Sequence, residues 1–369
     1  MDQDELTAWV RLLYTPGVGR SSARKLLSAF GSPLLVLSAN PRSWREVVTP
    51  SAAESLGNPP PDLPDLVRRS WDWLQFQGHE SRSIITLGDD RYPIAWLEIT
   101  DPPLLVYACG NTCLLQQPSV AIVGSRYPTP QGLDNARAFA EYLSDRGLTT
   151  ISGLAQGIDG AAHQGSLNGP GSTIAVLGTG LDRVYPRHHL QLSREISQKG
   201  LLITEYPPGT SVLPSHFPQR NRLIAGLSRG TLVVEAALQS GSLITAKLAM
   251  EAGREVFAIP GSIHSPHSRG CHLLIKQGAK LVETGQDILE ELRWHSPAPS
   301  SSSPIQNLVQ QGTPNPILEA MGHDPISLES LAIRTGLPVQ RLQAELLDFE
   351  LAGAVKRMPG SLFQRSGLG

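Results

Sequence analysis

Ser119–Gly153 reads SVAIVGSRYPTPQGLDNARAFAEYLSDRGLTTISG. A short β-branched run ends in Gly124-Ser125-Arg126. A stretch with apolar residues at helical spacing follows, and a second apolar run ends in Gly153. The same alternation continues through TIAVLGTG (173–180), LLITEY (201–206), GTLVVEA (230–236) and EVFAIPG (255–261), with helical patterns such as SLITAKLAMEAGRE (242–255) between. Apolar runs that do not alternate with polar residues are buried on both faces. Separated by helices, they predict an α/β fold: a mostly parallel sheet with helices on both faces. Ligands of such sheets bind outside the carboxyl ends of the strands, where these glycines fall.

The texture changes on either side. Residues 1–78 show helical periodicity, in LTAWVRLLY (6–14) and SARKLLSAF (22–30), separated by a turn at Gly17 and Gly19. Residues 79–293 form the α/β core. Residues 294–315 are rich in Ser, Pro and Gln and read as a flexible linker. Residues 316–369 follow the order helix, turn, helix, hairpin: Ser327 is placed to cap a helix, Gly336 and Pro338 to turn the chain, and AVKRMPGSLFQR (354–365) to form the ribbon of a winged helix.

The whole chain of 369 residues is 40% hydrophobic and 17% charged, with net charge −2. This composition supports a sizeable core and excludes a uniformly basic coat, so any polyanion site must be a local cluster of cations. The three cysteines do not make a disulfide scaffold, and Cys109 and Cys113 lack a second pair for a zinc site. The acidic start MDQDELTAWV carries no signal-peptide pattern, and no apolar run approaches the length of a membrane span. These features predict a cytoplasmic protein.

Five segments could carry chemistry. Gly124, Ser125 and Arg126 offer exposed amides, a hydroxyl and a guanidinium fork to a phosphate, or simply make a strand-to-helix turn. Gly153 and Gly157 crowd the next loop, which could present amides and a helix dipole to an anion; His163, without a neighbouring nucleophile, reads as structural. VLGTGLDRVYP (176–186) is a third glycine loop, whose Tyr185 and Pro186 could cover a cleft. HFPQRNRLIAGLS (216–228) concentrates Phe217, Arg220, Asn221 and Arg222: a ring on which a base can stack and two guanidiniums that share a side only if the segment is extended. Ser240, Gly241 and Ser242 open another helix and could bind an anion or merely cap it. Neither a dinucleotide fingerprint nor a P-loop, zinc-protease motif or nucleophile elbow is present, so no cofactor, metal or catalytic engine is expected.

The blocks VGSRYPTPQG, SGLAQGIDGAAHQGSL, LGTGLDRVYP, TEYPPGT, FPQRNRLIAGLS and VVEAALQSGSLITAKLAMEAGREVFAIPGS resemble, in order, the DNA-processing protein A family (DprA, also called Smf). The resemblance implies a Rossmann-like core that binds single-stranded DNA and dimerises. It also implies protection of incoming strands during natural transformation and loading of the RecA recombinase, with single-strand-binding protein as a further partner. An N-terminal helical, SAM-like or helix-hairpin-helix domain and a C-terminal winged helix occur in the family. The resemblance places the DNA site at Gly124, Ser125, Arg126, Phe217, Arg220, Asn221 and Arg222, and His272 stands where the family pattern carries Asn. PGVGRSSA (16–23) could touch a DNA backbone or only join two helices. A competing reading is a nucleotide-binding protein or nucleoside monophosphate hydrolase of a related fold. SRGTLVVEA keeps Gly230, Thr231 and Glu235 of the hydrolase loop, but places the carboxylate one residue late, on the other face of a strand.

Overall fold

A computed structural model describes residues 1–78, 80–294, 315–322 and 324–366. The 294–315 linker lies outside the described residues apart from its two ends.

Six helices open the chain: α1 (Gln3–Tyr14), α2 (Arg20–Phe30), α3 (Pro33–Ser38), α4 (Pro41–Val47), α5 (Pro50–Gly57) and α6 (Leu63–Leu74). Ser32, Asn40 and Thr49 each accept a backbone N–H of the first turn and are each followed by proline at the first helical position, so three consecutive helices start on a cap-plus-proline signal. Their apolar faces do not close on themselves. Leu6, Trp9, Leu26 and Leu56 share one cluster with Tyr107, Leu177, Ile196 and Leu202 of the following region, and Ser70 hydrogen-bonds the Tyr107 hydroxyl at 2.9 Å.

The core contains β1 (Arg82–Thr86), β2 (Leu105–Gly110), β3 (Ser119–Val123), α7 (Pro130–Asp145), β4 (Thr149–Ser152), α8 (Ile158–Ser166), β5 (Thr173–Val176), α9 (Leu190–Lys199), β6 (Leu201–Thr204), α10 (His216–Leu227), β7 (Gly230–Val233), α11 (Ser242–Glu251), β8 (Glu255–Ala258), α12 (Arg269–Lys276), β9 (Lys280–Leu281) and α13 (Gly285–Glu291). The sheet order is β1-β2-β6-β5-β4-β3-β7-β8-β9. β6 through β9 run parallel, as the unbroken apolar runs predict, while β2 pairs antiparallel with β6 and β1 antiparallel with β2. Successive residues of β3 serve opposite faces: Val120 and Ile122 pack with α7, α8 and α13, and Ala121 and Val123 with α10, α11 and α12.

The last region holds α14 (Pro316–Met321), β10 (Ile326–Ser327), α15 (Leu328–Thr335), α16 (Val339–Leu351), β11 (Val355–Met358) and β12 (Leu362–Arg365), a winged helix with its own core around Leu331, Leu342 and Leu346. Ser327 caps α15 and Gly336 ends it in the left-handed conformation. The hairpin rests on the start of α7, with Lys356 Nζ 2.7 Å from Asp134.

Candidate functional site

The chain leaves β3 through α7 on one face of the sheet and leaves its neighbour β7 through α11 on the other. The carboxyl ends of these two strands therefore part around a crevice, the position where sheets of this kind hold ligands. A pocket of about 620 Å³ opens there. Gly124, Ser125 and Arg126 line one side, Ser240, Gly241 and Ser242 another, and Phe217, Arg220 and Asn221 of α10 a third.

Each group has a chemical role available to it. Gly241 is the N-cap of α11, so the positive end of a ten-residue helix faces the pocket. The Ser240 and Ser242 hydroxyls meet at 2.7 Å, and Ser125 accepts from the Tyr127 amide at 3.1 Å. The Arg126 guanidinium lies 5.6 Å from the centre of the Phe217 ring, and Tyr185 stands 5.6 Å from the same ring, tilted by 46°. Tyr127 is 76% exposed at the rim. Asp159 is the sole carboxylate among the lining residues. The pocket thus combines cations, free donors and aromatic faces.

Arg220 is buried, and burial pushes its guanidinium down to about 10, with Asp159 opposing and Arg126 reinforcing that shift. It remains charged at neutral pH. One of its terminal nitrogens donates to the Val176 carbonyl, while Nε finds no partner among the described residues. Asp159 accepts from the amides of Gly153 and Ala155 at 3.1 and 3.4 Å; burial raises its pKa, opposed by Arg220 and those amides. The loop at Gly153 and Gly157 accordingly serves as the wall behind the pocket. The Gly153 amide is spent on Asp159, and Gly157, at φ +86°, presses against the Ser125 carbonyl. A β-carbon at Gly153 would fall on the Arg220 guanidinium. Gly153→Ala is expected to cost roughly 1–3 kcal/mol, as for an overpacked core; an unchanged denaturant midpoint would show that Arg220 has room to move.

His163 is fully buried. Its Nε2 accepts from the Leu154 amide at 3.2 Å, which leaves Nδ1 protonated to donate to Thr173 Oγ1 at 2.7 Å. Burial, helped by the charges of His189 and Arg220, lowers its pKa to about 3. The unfolded chain takes up that proton below about pH 6.5, while the folded chain does not until about pH 3. Stability is therefore present above about pH 6.5 and falls as pH drops toward 3. His163→Asn should flatten this part of the pH–stability curve, measured by denaturant unfolding; an equally steep curve in the variant would place the proton elsewhere.

Glu235 points away from the pocket. Its carboxylate accepts from the Thr129 amide and hydroxyl at 2.9 and 2.6 Å, holding the start of α7.

Residues 83–293 match the sequence profile of the DNA recombination-mediator protein A family, and residues 296–361 match the DprA winged helix domain. Protein Smf of Escherichia coli is 43% identical over 301 residues, spanning 80% of this chain and 79% of its own. The chain belongs to the DNA recombination-mediator protein A family. The X-ray structure of DNA processing protein A from Streptococcus pneumoniae superposes with a TM-score of 0.68 at 38% identity, over 78% of this chain and 99% of the other. DNA processing protein A from Helicobacter pylori, whose structure is described as giving insight into its single-stranded DNA binding mode, superposes at 0.53 with 31% identity, over 59% of this chain and 98% of its own.

Of the residues that the family resemblance assigned to this member's site, Arg222 is not in the pocket. The segment is helix α10, not an extended strand, so Arg220 and Arg222 diverge. Arg222 grips Glu205 at 2.6 Å and Asp101 at 3.1 Å, where Arg20 and Arg24 of α2 also converge on Asp101. Burial raises the Asp101 carboxyl, but the Arg24 hydrogen bond and the charges of Arg222 and Arg20 outweigh it and hold the group below its ordinary range. This cluster joins the N-terminal helices to the core. Glu205 lies in the TEYPPGT block, but no sequence pattern pairs it or Asp101 with Arg222; only their meeting reveals the cluster. His272 bonds the Gly261 carbonyl at 3.0 Å on α12 and is not among the pocket-lining residues. Among the described residues, no helix is long and apolar enough to cross a membrane, and no cluster of side chains is arranged to hold a metal.

Proposed function

We propose that this protein binds single-stranded DNA, with little preference for sequence, in the crevice between β3 and β7. In this reading Arg126 and Arg220 engage phosphate oxygens, Ser125, Ser240, Ser242 and the Gly241 turn donate to them, and Asn221 meets a base edge or backbone. Phe217 provides the apolar face for a base. Gly124, Gly153 and Gly157 let the backbone and Arg220 come close. The observation that carries the reading is the convergence of two guanidiniums, a helix N-terminus and an aromatic ring on one crevice with a single carboxylate. The Helicobacter pylori relative, described as a single-stranded DNA binder, supports it.

The role we infer is that of a cytoplasmic mediator, without catalysis of its own, that protects incoming single strands and delivers them to RecA as a homodimer, with single-strand-binding protein as a further contact. The hydrolase alternative loses its carboxylate, because Glu235 is bound to the start of α7 and does not line the pocket.

The test is a salt titration of the full-length protein on single and double strands of matched sequence. Single strands should bind more tightly, and log affinity should fall linearly with log salt by ~0.7 for each phosphate contacted. Equal affinity for duplex would rule out a single-strand site, and a flat salt response would rule out a phosphate-gripping one.

A further inference from the structure

The chain has seven tyrosines. Tyr14, Tyr92, Tyr107, Tyr142 and Tyr206 each place the hydroxyl on a hydrogen-bond partner: the Glu205 carbonyl, the Pro103 carbonyl, Ser70, Gln286 and Gln219 respectively. This is the usual employment of the residue, an apolar ring that packs while its polar tip is satisfied. Tyr127 and Tyr185 depart from it. Their hydroxyls have no partner among the described residues, their rings are 76% and 46% exposed, and both line the crevice between β3 and β7.

Both rings adjoin the cations of the crevice. The Tyr127 amide donates to Ser125 Oγ at 3.1 Å, and Gly157 packs against the Ser125 carbonyl, so the turn that carries Arg126 also carries Tyr127. Tyr185 leans on Phe217 with ring centres 5.6 Å apart, and the Arg126 guanidinium lies 5.6 Å from that same Phe217 ring. Tyr127, Arg126, Phe217 and Tyr185 thus form a contiguous set, and the crevice adds Arg220 and the Gly241 helix start. An unpaired strand presents phosphates and base faces in alternation, and each finds its partner here. A duplex presents phosphates too, at higher charge density, while its base faces are closed within its own stack. A grip on phosphate alone therefore favours the duplex, and a preference for single strands has to come from the bases.

We infer that Tyr127 and Tyr185 select single strands over duplex, each taking the face of an unpaired base beside the phosphate grip. This role rests on the single-strand reading of the crevice and adds two stacking faces to that of Phe217. Every base has a π face, so the rings discriminate strandedness without discriminating sequence. Rings this exposed, with free hydroxyls, add little to the fold, and their removal should leave it intact.

The experiment measures fluorescence anisotropy of the full-length protein with three labelled ligands: a thymidine strand, an abasic strand of equal length, and a duplex. The wild-type protein should bind the abasic strand at least about tenfold more weakly than the thymidine strand. Tyr127→Ala and Tyr185→Ala should each weaken the thymidine strand about tenfold and leave the abasic strand and the duplex unchanged. Their salt slopes should stay at the wild-type value, because no phosphate contact is lost. Tyr127→Phe, which keeps the ring, should recover the affinity that Tyr127→Ala loses, and melting curves should match wild type throughout. The inference is overturned if the wild-type protein binds the abasic strand as tightly as the thymidine strand, or if both alanine variants bind the thymidine strand normally; the phosphate grip would still stand on its salt slope. It is also overturned if the variants lose the abasic strand equally, since the rings would then act through the fold and not through the bases. A flat salt response on the abasic strand would remove the phosphate grip, and the inference with it.

Discussion

Replacing Arg126 with alanine is expected to weaken single-strand binding by about 1.5–3 kcal/mol, roughly ten- to hundredfold, the range for a hydrogen bond to a charged group. The loss should be the same for every sequence, and the log–log salt slope should shrink by ~0.7. Arg126 is the residue to choose because it is exposed, has no ion-pair partner among the described residues and lies over the Phe217 ring, so the fold gives up little when it is truncated. Arg220 is the poorer probe, since its buried guanidinium also supports the Val176 carbonyl and faces Asp159. Fluorescence anisotropy at several salt concentrations reads both quantities. An Arg126→Ala protein with wild-type affinity and slope would remove the phosphate contact from this pocket.

Arg222→Ala should behave in the opposite way. Its guanidinium and the Glu205 carboxylate are each only 11% exposed, and one terminal nitrogen of Arg222 donates to both Glu205 oxygens at 2.6 Å. Removing one partner of a buried pair leaves the other charge uncompensated and costs on the order of 3 kcal/mol, or roughly 5–10 °C in melting temperature for a protein of this size class. Asp101 would also lose one of its three arginines, although Arg20 and Arg24 still hold it. The salt slope for single strands should not change, because Arg222 does not line the pocket. The pair of variants therefore separates binding from architecture. A stable Arg222→Ala protein with a flattened slope would return Arg222 to the DNA surface.

The two variants also show where sequence reading stops. Arg220 and Arg222 look equivalent in FPQRNR, two guanidiniums beside a ring and an amide. A helix turns about 200° over two residues, so α10 sends one into the crevice and the other toward Asp101, 121 positions earlier in the chain. The glycine loop at 153–157 was equally ambiguous. Its amides seemed open to an anion until Asp159, six residues on from Gly153, took that amide. Local pattern names the candidate groups, but the partners that consume them, Asp159 from the next helix and Asp101 from a remote segment, meet them only in the folded chain.

What the sequence determined by itself is the local grammar. Strands that are apolar without alternation and end in glycine specify a parallel sheet with its ligand crevice at the strand ends. Cap-plus-proline pairs start the helices, and the order helix, helix, hairpin specifies the winged helix. These follow from backbone geometry and burial, which act over a few residues. Only the tertiary structure decided which cation faces solvent and which is neutralised, and in what order the strands pair. Charge pairing and sheet order join residues distant in the chain, and their energies depend on a burial that exists only once the layers have closed.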